Sequence, residues 1–234
     1  MNRLWIGFAP FAVVSVIHIA ALAVGAEAVA GPTKLLLMPA LAVAVFWGGR
    51  GSRWGTTYML LLTAIALSWI GDGAATFFPA APTVPMMLLF FGLAHLCYIW
   101  IFWRRIPVQR VPKWAIVYGL WWVVLIAVLV PVILAKIGGA PFAVAVSVYG
   151  LLLAGTAVAA SRCLPLVAAG GAFFLASDTI LAFRLFMPDA MPDWTSPLVM
   201  LTYCLGQGLI AAGVIIADRV QAAVVAAEPV EDAA

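Results

Sequence analysis

The chain reads as an all-α, polytopic transmembrane helical bundle of eight spans with both termini in the cytoplasm. Three observations predict it. First, 66% of its 234 residues are hydrophobic and only 9% are charged, whereas a soluble domain carries about 25% charged residues. Second, apolar runs of about 20 residues, the length that crosses a hydrocarbon core of about 30 Å, recur from end to end. They leave no room for a soluble domain. Third, the lysines and arginines lie in short loops and are unevenly divided between them. The organisation expected is one transmembrane domain over 1–220, followed by a short, acidic, disordered tail over 221–234.

The spans are expected at 4–24, 33–48, 55–78, 84–103, 114–135, 141–160, 165–187 and 195–217. Arg3, the first apolar run and the small residues of VGAEAVAG also fit a secretory signal. His18 inside that run and the immediate restart of apolar sequence after Pro32 favour a retained first helix. Later connections are short and rich in Gly and Pro, as in GGRGS, FPAAPTVP, RRIPVQRVPK and MPDAMPDW. Pro10, Pro39 and Pro131 fall inside spans and predict kinks, which packed neighbours tolerate.

Eight spans place Arg3, Arg50, Arg53, Arg104, Arg105, Arg110, Lys113, Arg162 and Arg219 on one side, and Lys34, Lys136 and Arg184 on the other. Nine against three assigns the first side to the cytoplasm. The net charge of +3 is then a property of the loops and implies no nucleic acid partner. At 1.5 Å per residue, Asp72, Asp178, His18, Lys34, His95, Tyr203 and Gln207 all fall between the midplane and the outer face. The third and seventh spans also resemble each other around their aspartates, as a parallel repeat of four plus four helices would require.

Asp72 and Asp178 stand out because a carboxylate inside a span costs about 2.5–3.5 kcal/mol on insertion scales. Each has a bland explanation, a hydrogen bond to a neighbouring helix. For Asp72 this could involve Ser68 one turn earlier, or a cap near the interface. Two close carboxyls in an apolar medium divide instead into one neutral and one ionised group, which supplies an acid and a base together. His95 and Tyr98, three apart, share a helix face, as do Tyr203 and Gln207, four apart. His18 and His95 serve equally well as interhelical hydrogen-bond partners. Lys34 and Arg184 either extend to the headgroups or pair with a phosphate or with the aspartates. Glu27, Asp189 and Asp193 are expected in solvated loops, and the ten tryptophans as anchors and packing.

Cys97, Cys163 and Cys204 are too widely spaced for a disulfide framework or a zinc motif. The sequence has no Gly-rich phosphate loop and no G-x-S-x-G elbow. Its two histidines exclude a three-His zinc site; two His with two Asp is the one metal arrangement left open. No metal and no cofactor are expected.

The stretches GPTKLLLMPALAV, LSWIGDGAATFF, FFGLAHLCYIWIF, FFLASDTILAFRLF and LTYCLGQGLIAAG together resemble the YhhN family of lysoplasmalogenases, polytopic proteins of eight predicted spans. The G-D of the third span and the S-D of the seventh are the most specific elements. Leu35 stands where the family often has proline, and Gly73–Ala74–Ala75 replace bulkier residues. These departures bear on pocket shape and substrate preference.

The resemblance implies hydrolysis of the vinyl ether of a lysoplasmalogen to a fatty aldehyde and a glycerophospho-base. Asp178 is expected as the acid and Asp72 as the base or cation stabiliser, with the reverse assignment open. His95, Tyr98, Tyr203, Gln207 and His18 would support them, and Lys34 or Arg184 would face the phosphate. The partner expected is a single-chain ether phospholipid of a bacterial cell membrane. The rival reading is a proton-coupled transporter built on intramembrane Asp and His. A third is a lipid-binding scaffold that turns nothing over.

Overall fold

The structure is a computed structural model that describes residues 2–50, 55–106, 109–136 and 139–227. Arg53 and the end of the acidic tail, 228–234, lie outside the described residues. The helices are α1 (Asn2–Ala23), α2 (Glu27–Gly48), α3 (Thr56–Asp72), the single turn α4 (Ala74–Phe77), α5 (Thr83–Arg104), α6 (Ile116–Lys136), α7 (Gly139–Ala160), α8 (Pro165–Phe186) and α9 (Thr195–Ala227). Short 3₁₀ turns, Lys113–Ala115 and Pro188–Ala190, precede α6 and follow α8. Among the described residues there is no strand. Seven helices are long and apolar enough to cross a membrane, and α3 is a shorter apolar helix of 17 residues. The chain is an integral, multi-pass membrane protein.

Three boundaries differ from those expected, each for a local reason. The second helix starts at Glu27 rather than at 33, because Gly25, at φ +69°, folds the chain back at once. That backbone region costs glycine nothing. The third helix ends at Asp72 and not at 78. Phe77 folds back over Gly73, where a Cβ would sit 2.3 Å from its ring, and packs edge-on against Trp69 at 4.9 Å. Asp72 is thereby the last residue of its helix. The last helix runs past 217, so residues 221–227 of the expected tail are helical. Its 33 residues span about 50 Å, more than the apolar core needs.

The ends of α1, α2 and α9 gather at one face of the bundle. Leu4 and Ile215 both approach Gly48, and the Arg219 guanidinium donates to the Gly48 carbonyl at 2.6 Å. The loop after α7 joins the loop after α5 there, Arg162 Nε donating to the Gln109 carbonyl at 3.0 Å. This is the face that carries the excess of basic residues noted in the sequence.

Neighbouring helices repeat in order. The contacts α1–α2, α2–α3 and α3–α5 recur as α6–α7, α7–α8 and α8–α9, and the cross-contact α5–α7 has its counterpart in α9–α2. The closest of these packings is α8 on α9. A Cβ on Gly170 would lie 2.8 Å from the Ile210 backbone nitrogen, and one on Gly206 would lie 2.9 Å from that of Phe174. The two backbones touch, as small residues allow in a membrane, where van der Waals packing drives association. Gly206→Val is expected to cost about 1–3 kcal/mol by overpacking and to lower the unfolding midpoint in detergent. Gly31→Ala, where nothing lies within 4 Å of the added Cβ, should leave the midpoint within error.

Candidate functional site

Placement of the site begins with a proline. Pro39 has no N–H, so the carbonyl of Leu35, four residues earlier in α2, loses its helical partner. The Trp69 indole of α3 supplies the replacement, donating to the Leu35 carbonyl at 2.9 Å. This bond fixes α2 against α3 one residue from Lys34 and three from Asp72. The Lys34 ammonium then lies 3.9 Å from Asp72 Oδ1.

Asp72 is 6% exposed at its side chain and receives the Tyr203 hydroxyl of α9 on Oδ2 at 2.7 Å. Behind Tyr203 the hydrogen bonds continue inward. Gln207 Nε2 donates to the Tyr203 oxygen at 3.4 Å and to Ser68 Oγ at 3.1 Å. Its Oε1 accepts from the Tyr98 hydroxyl of α5 at 2.5 Å. Ser68, Tyr98 and Gln207 are each fully buried. A cation and a chain of donors from four helices thus converge on Asp72, the surroundings of an anion. Ser68, one candidate partner for Asp72, bonds Gln207 instead.

Asp178 of α8 is placed differently. Tyr149 of α7 donates its hydroxyl to Oδ2, and no cation pairs with Asp178 among the described residues. It lines a cavity of about 50 Å³ whose other walls include Phe91, Leu125, Leu129, Val146, Leu153 and Leu181. These are the surroundings of a neutral carboxyl.

An aromatic wall joins the two halves. Tyr203 meets Phe174 at 5.5 Å, Phe174 meets His95 at 4.7 Å, and His95 meets Tyr149 at 5.7 Å between ring centroids. His95 is fully buried, and its Nδ1 faces Thr156 Oγ1 at 3.0 Å. Its Nε2 has no partner among the described residues.

A second, larger cleft of about 340 Å³ opens at the start of α2, the end opposite Gly48. It is lined by His18, Glu27, Lys34, Leu181, Arg184 and Ser196, among others. Leu181 lines both this cleft and the Asp178 cavity. Arg184 does not reach either aspartate. Its Nη1 donates to the Pro192 carbonyl at 3.2 Å and to Thr195 Oγ1 at 2.5 Å, tying α8 to the start of α9. Glu27 is the first residue of α2 and lines the cleft, where a loop position had been expected.

The structure therefore brings Lys34, Asp72, Tyr98, Tyr203 and Gln207 into one network. It puts Asp178 and His95 beside it, and His18 and Arg184 around the cleft. Tyr149 is the residue that sequence reasoning missed. A signal existed: it is the eleventh of 22 residues in α7, far from the helix ends where interfacial aromatics collect. Among the described residues no group of three or more His, Cys, Asp or Glu could hold a metal ion.

The sequence profile of the YhhN family matches residues 29–214. No curated protein and no solved structure matches the chain.

The Trp69–Leu35 bond gives a test of how the site is positioned. Trp69→Phe leaves a partly buried carbonyl, in a span with little water to replace the indole, unpartnered, and is expected to cost about 1–3 kcal/mol. Pro39→Ala restores the missing N–H, so the double variant should recover most of that loss in a detergent unfolding midpoint. Additive losses would contradict the assignment.

Proposed function

We propose that this chain, which belongs to the YhhN family, is a membrane-embedded hydrolase that opens the vinyl ether of a single-chain, lysoplasmalogen-type lipid. The observation that carries the reading is the unlike surroundings of its two aspartates. A vinyl ether resists nucleophiles and bases but reacts once its β-carbon is protonated. Catalysis therefore needs a neutral acid in an apolar pocket and an anion beside it. Asp178 at its apolar cavity suits the first role, and Asp72 with Lys34 and Tyr203 suits the second.

The steps balance with one water. Asp178 gives its proton to the β-carbon, and the electron pair of the double bond forms that C–H bond. The oxocarbenium ion left behind is stabilised by the Asp72 carboxylate. Water adds to the cationic carbon while Asp72 takes one of its protons. The hemiacetal then breaks: its O–H proton passes to Asp178, and the proton held by Asp72 goes to the departing glycerol oxygen. A fatty aldehyde and a glycerophospho-base leave, and both carboxyls regain their starting states. In this reading Tyr149 positions Asp178, while Tyr98, Gln207 and Tyr203 hold Asp72. His95 orients water at the aromatic wall. The lipid chain would occupy the Asp178 side of Leu181 and the phosphate the cleft side, facing Lys34 and Arg184.

A proton-coupled carrier is the second reading, favoured by the repeated order of helix contacts around a buried polar centre. It predicts pH-driven solute flux in liposomes without aldehyde formation.

The deciding measurement is aldehyde release from a lysoplasmalogen by the protein purified in detergent. Asp72→Asn and Asp178→Asn should each lower turnover by about 10²-fold or more, with unfolding midpoints close to the parent's. Near-normal turnover in either variant would remove the two-carboxyl mechanism. Tyr149→Phe should lower turnover less than Asp178→Asn, since it removes only a positioning bond.

A further inference from the structure

His18 and His95 share one hydrogen-bond arrangement, and its logic fixes what each ring can do. Thr33 has a single hydroxyl proton, which it donates within its own helix to the carbonyls of Val29 at 2.6 Å and Ala30 at 3.2 Å. With its proton so placed, the Thr33 oxygen is free to accept from His18 Nδ1, 3.0 Å away. We assign the ring proton to Nδ1 on that ground, which makes Nε2 of the neutral ring a bare lone pair. Thr156 repeats the pattern, donating to the Leu152 carbonyl at 2.9 Å while facing His95 Nδ1. Both Nε2 atoms are buried without a partner among the described residues, an arrangement native proteins seldom leave unanswered.

The two rings open on different surroundings. His95 lies in the aromatic wall already described. His18, 2% exposed, belongs to the larger cleft, level with Lys34 through its bond to the adjacent Thr33. The cleft offers two cations that are only partly engaged. Lys34 is 3.9 Å from its carboxylate, and Arg184 commits Nη1 alone among the described residues. His18 lines the cleft together with both cations, so a ligand whose anion lies between Lys34 and Arg184 brings an O–H a few bonds away against the His18 ring.

We infer that His18 Nε2 accepts a hydrogen bond from the free glycerol hydroxyl of a single-chain lipid whose phosphate lies at Lys34 and Arg184. His18 is then the residue that distinguishes a lipid with that hydroxyl from one in which it is absent or blocked. The inference rests on the reading that the cleft takes the phosphate end of a lipid, but it does not depend on vinyl ether cleavage.

A saturated ether lipid, 1-O-alkyl-glycerophosphoethanolamine, carries the same headgroup and hydroxyl and cannot be hydrolysed by the proposed route. Its binding to the detergent-purified full chain can be compared with binding of its 2-deoxy and 2-O-methyl analogues by intrinsic tryptophan fluorescence. The parent protein should prefer the hydroxyl lipid by about tenfold over either analogue, the worth of one buried hydrogen bond. His18→Leu should bring the ratio close to one, mainly by weakening the hydroxyl lipid. His18→Gln keeps an acceptor oxygen and should retain part of the preference, which a merely structural role would not do. An unchanged ratio in His18→Leu would overturn the inference, as would a loss that instead follows removal of the headgroup amine. Loss of aldehyde release with the hydroxyl preference intact would count against the hydrolase alone.

Discussion

Everything around the site follows from placing a carboxylate at the C-terminal end of an apolar helix. The last carbonyls of α3 carry the negative end of its dipole, so an anion at Asp72 is opposed by its own helix as well as by desolvation. The opposition has to be met from elsewhere in the bundle. Lys34 comes from α2 and Tyr203 from α9, while Gln207 and Tyr98 extend the donor chain to α5. Each donor belongs to a different helix from Asp72, so the network draws α2, α3, α5 and α9 to one point.

That convergence needs the helices set at fixed heights, and two backbone devices provide it. Pro39 frees a carbonyl that only a donor from outside α2 can satisfy, and Trp69 of α3 is that donor. A helix fault thereby becomes a registration mark. Gly170 and Gly206 let α8 and α9 meet backbone to backbone, which fixes the height of Tyr203 relative to Asp178. In both cases the residue that looks like a defect in its own helix sets the position of a neighbouring one.

Much of this was legible in the sequence, and the limits have physical causes. Span positions were readable because apolar length is dictated by bilayer thickness. The polar residues of the site were readable because each is costly in lipid and so conspicuous. Tyr149 escaped because tyrosine is amphipathic and common at interfaces; only its mid-span position marks it. The early end of α3 was hidden because it depends on Phe77 lying over Gly73, a contact that hydrophobicity does not encode. Pro39 announced an unpaired carbonyl, but no local pattern named Trp69 as its donor. Glu27 looked like a loop residue because the turn at Gly25 is shorter than composition alone suggests.

The two aspartates show why residue identity underdetermines chemistry. Both sit late in apolar helices, and both accept from a tyrosine hydroxyl. They differ in what else is near. Asp72 has an ammonium and a buried donor chain, so its negative charge is met on both oxygens. Asp178 has one donor and a largely apolar cavity. Two like charges held close in a medium of low dielectric repel strongly, so the proposed reaction asks for a single proton between the pair. On the proposed reading that proton sits on the carboxyl with less compensation for charge. The asymmetry of their surroundings, and not any difference between the residues, is what would make Asp178 the donor and Asp72 the anion in the proposed reaction.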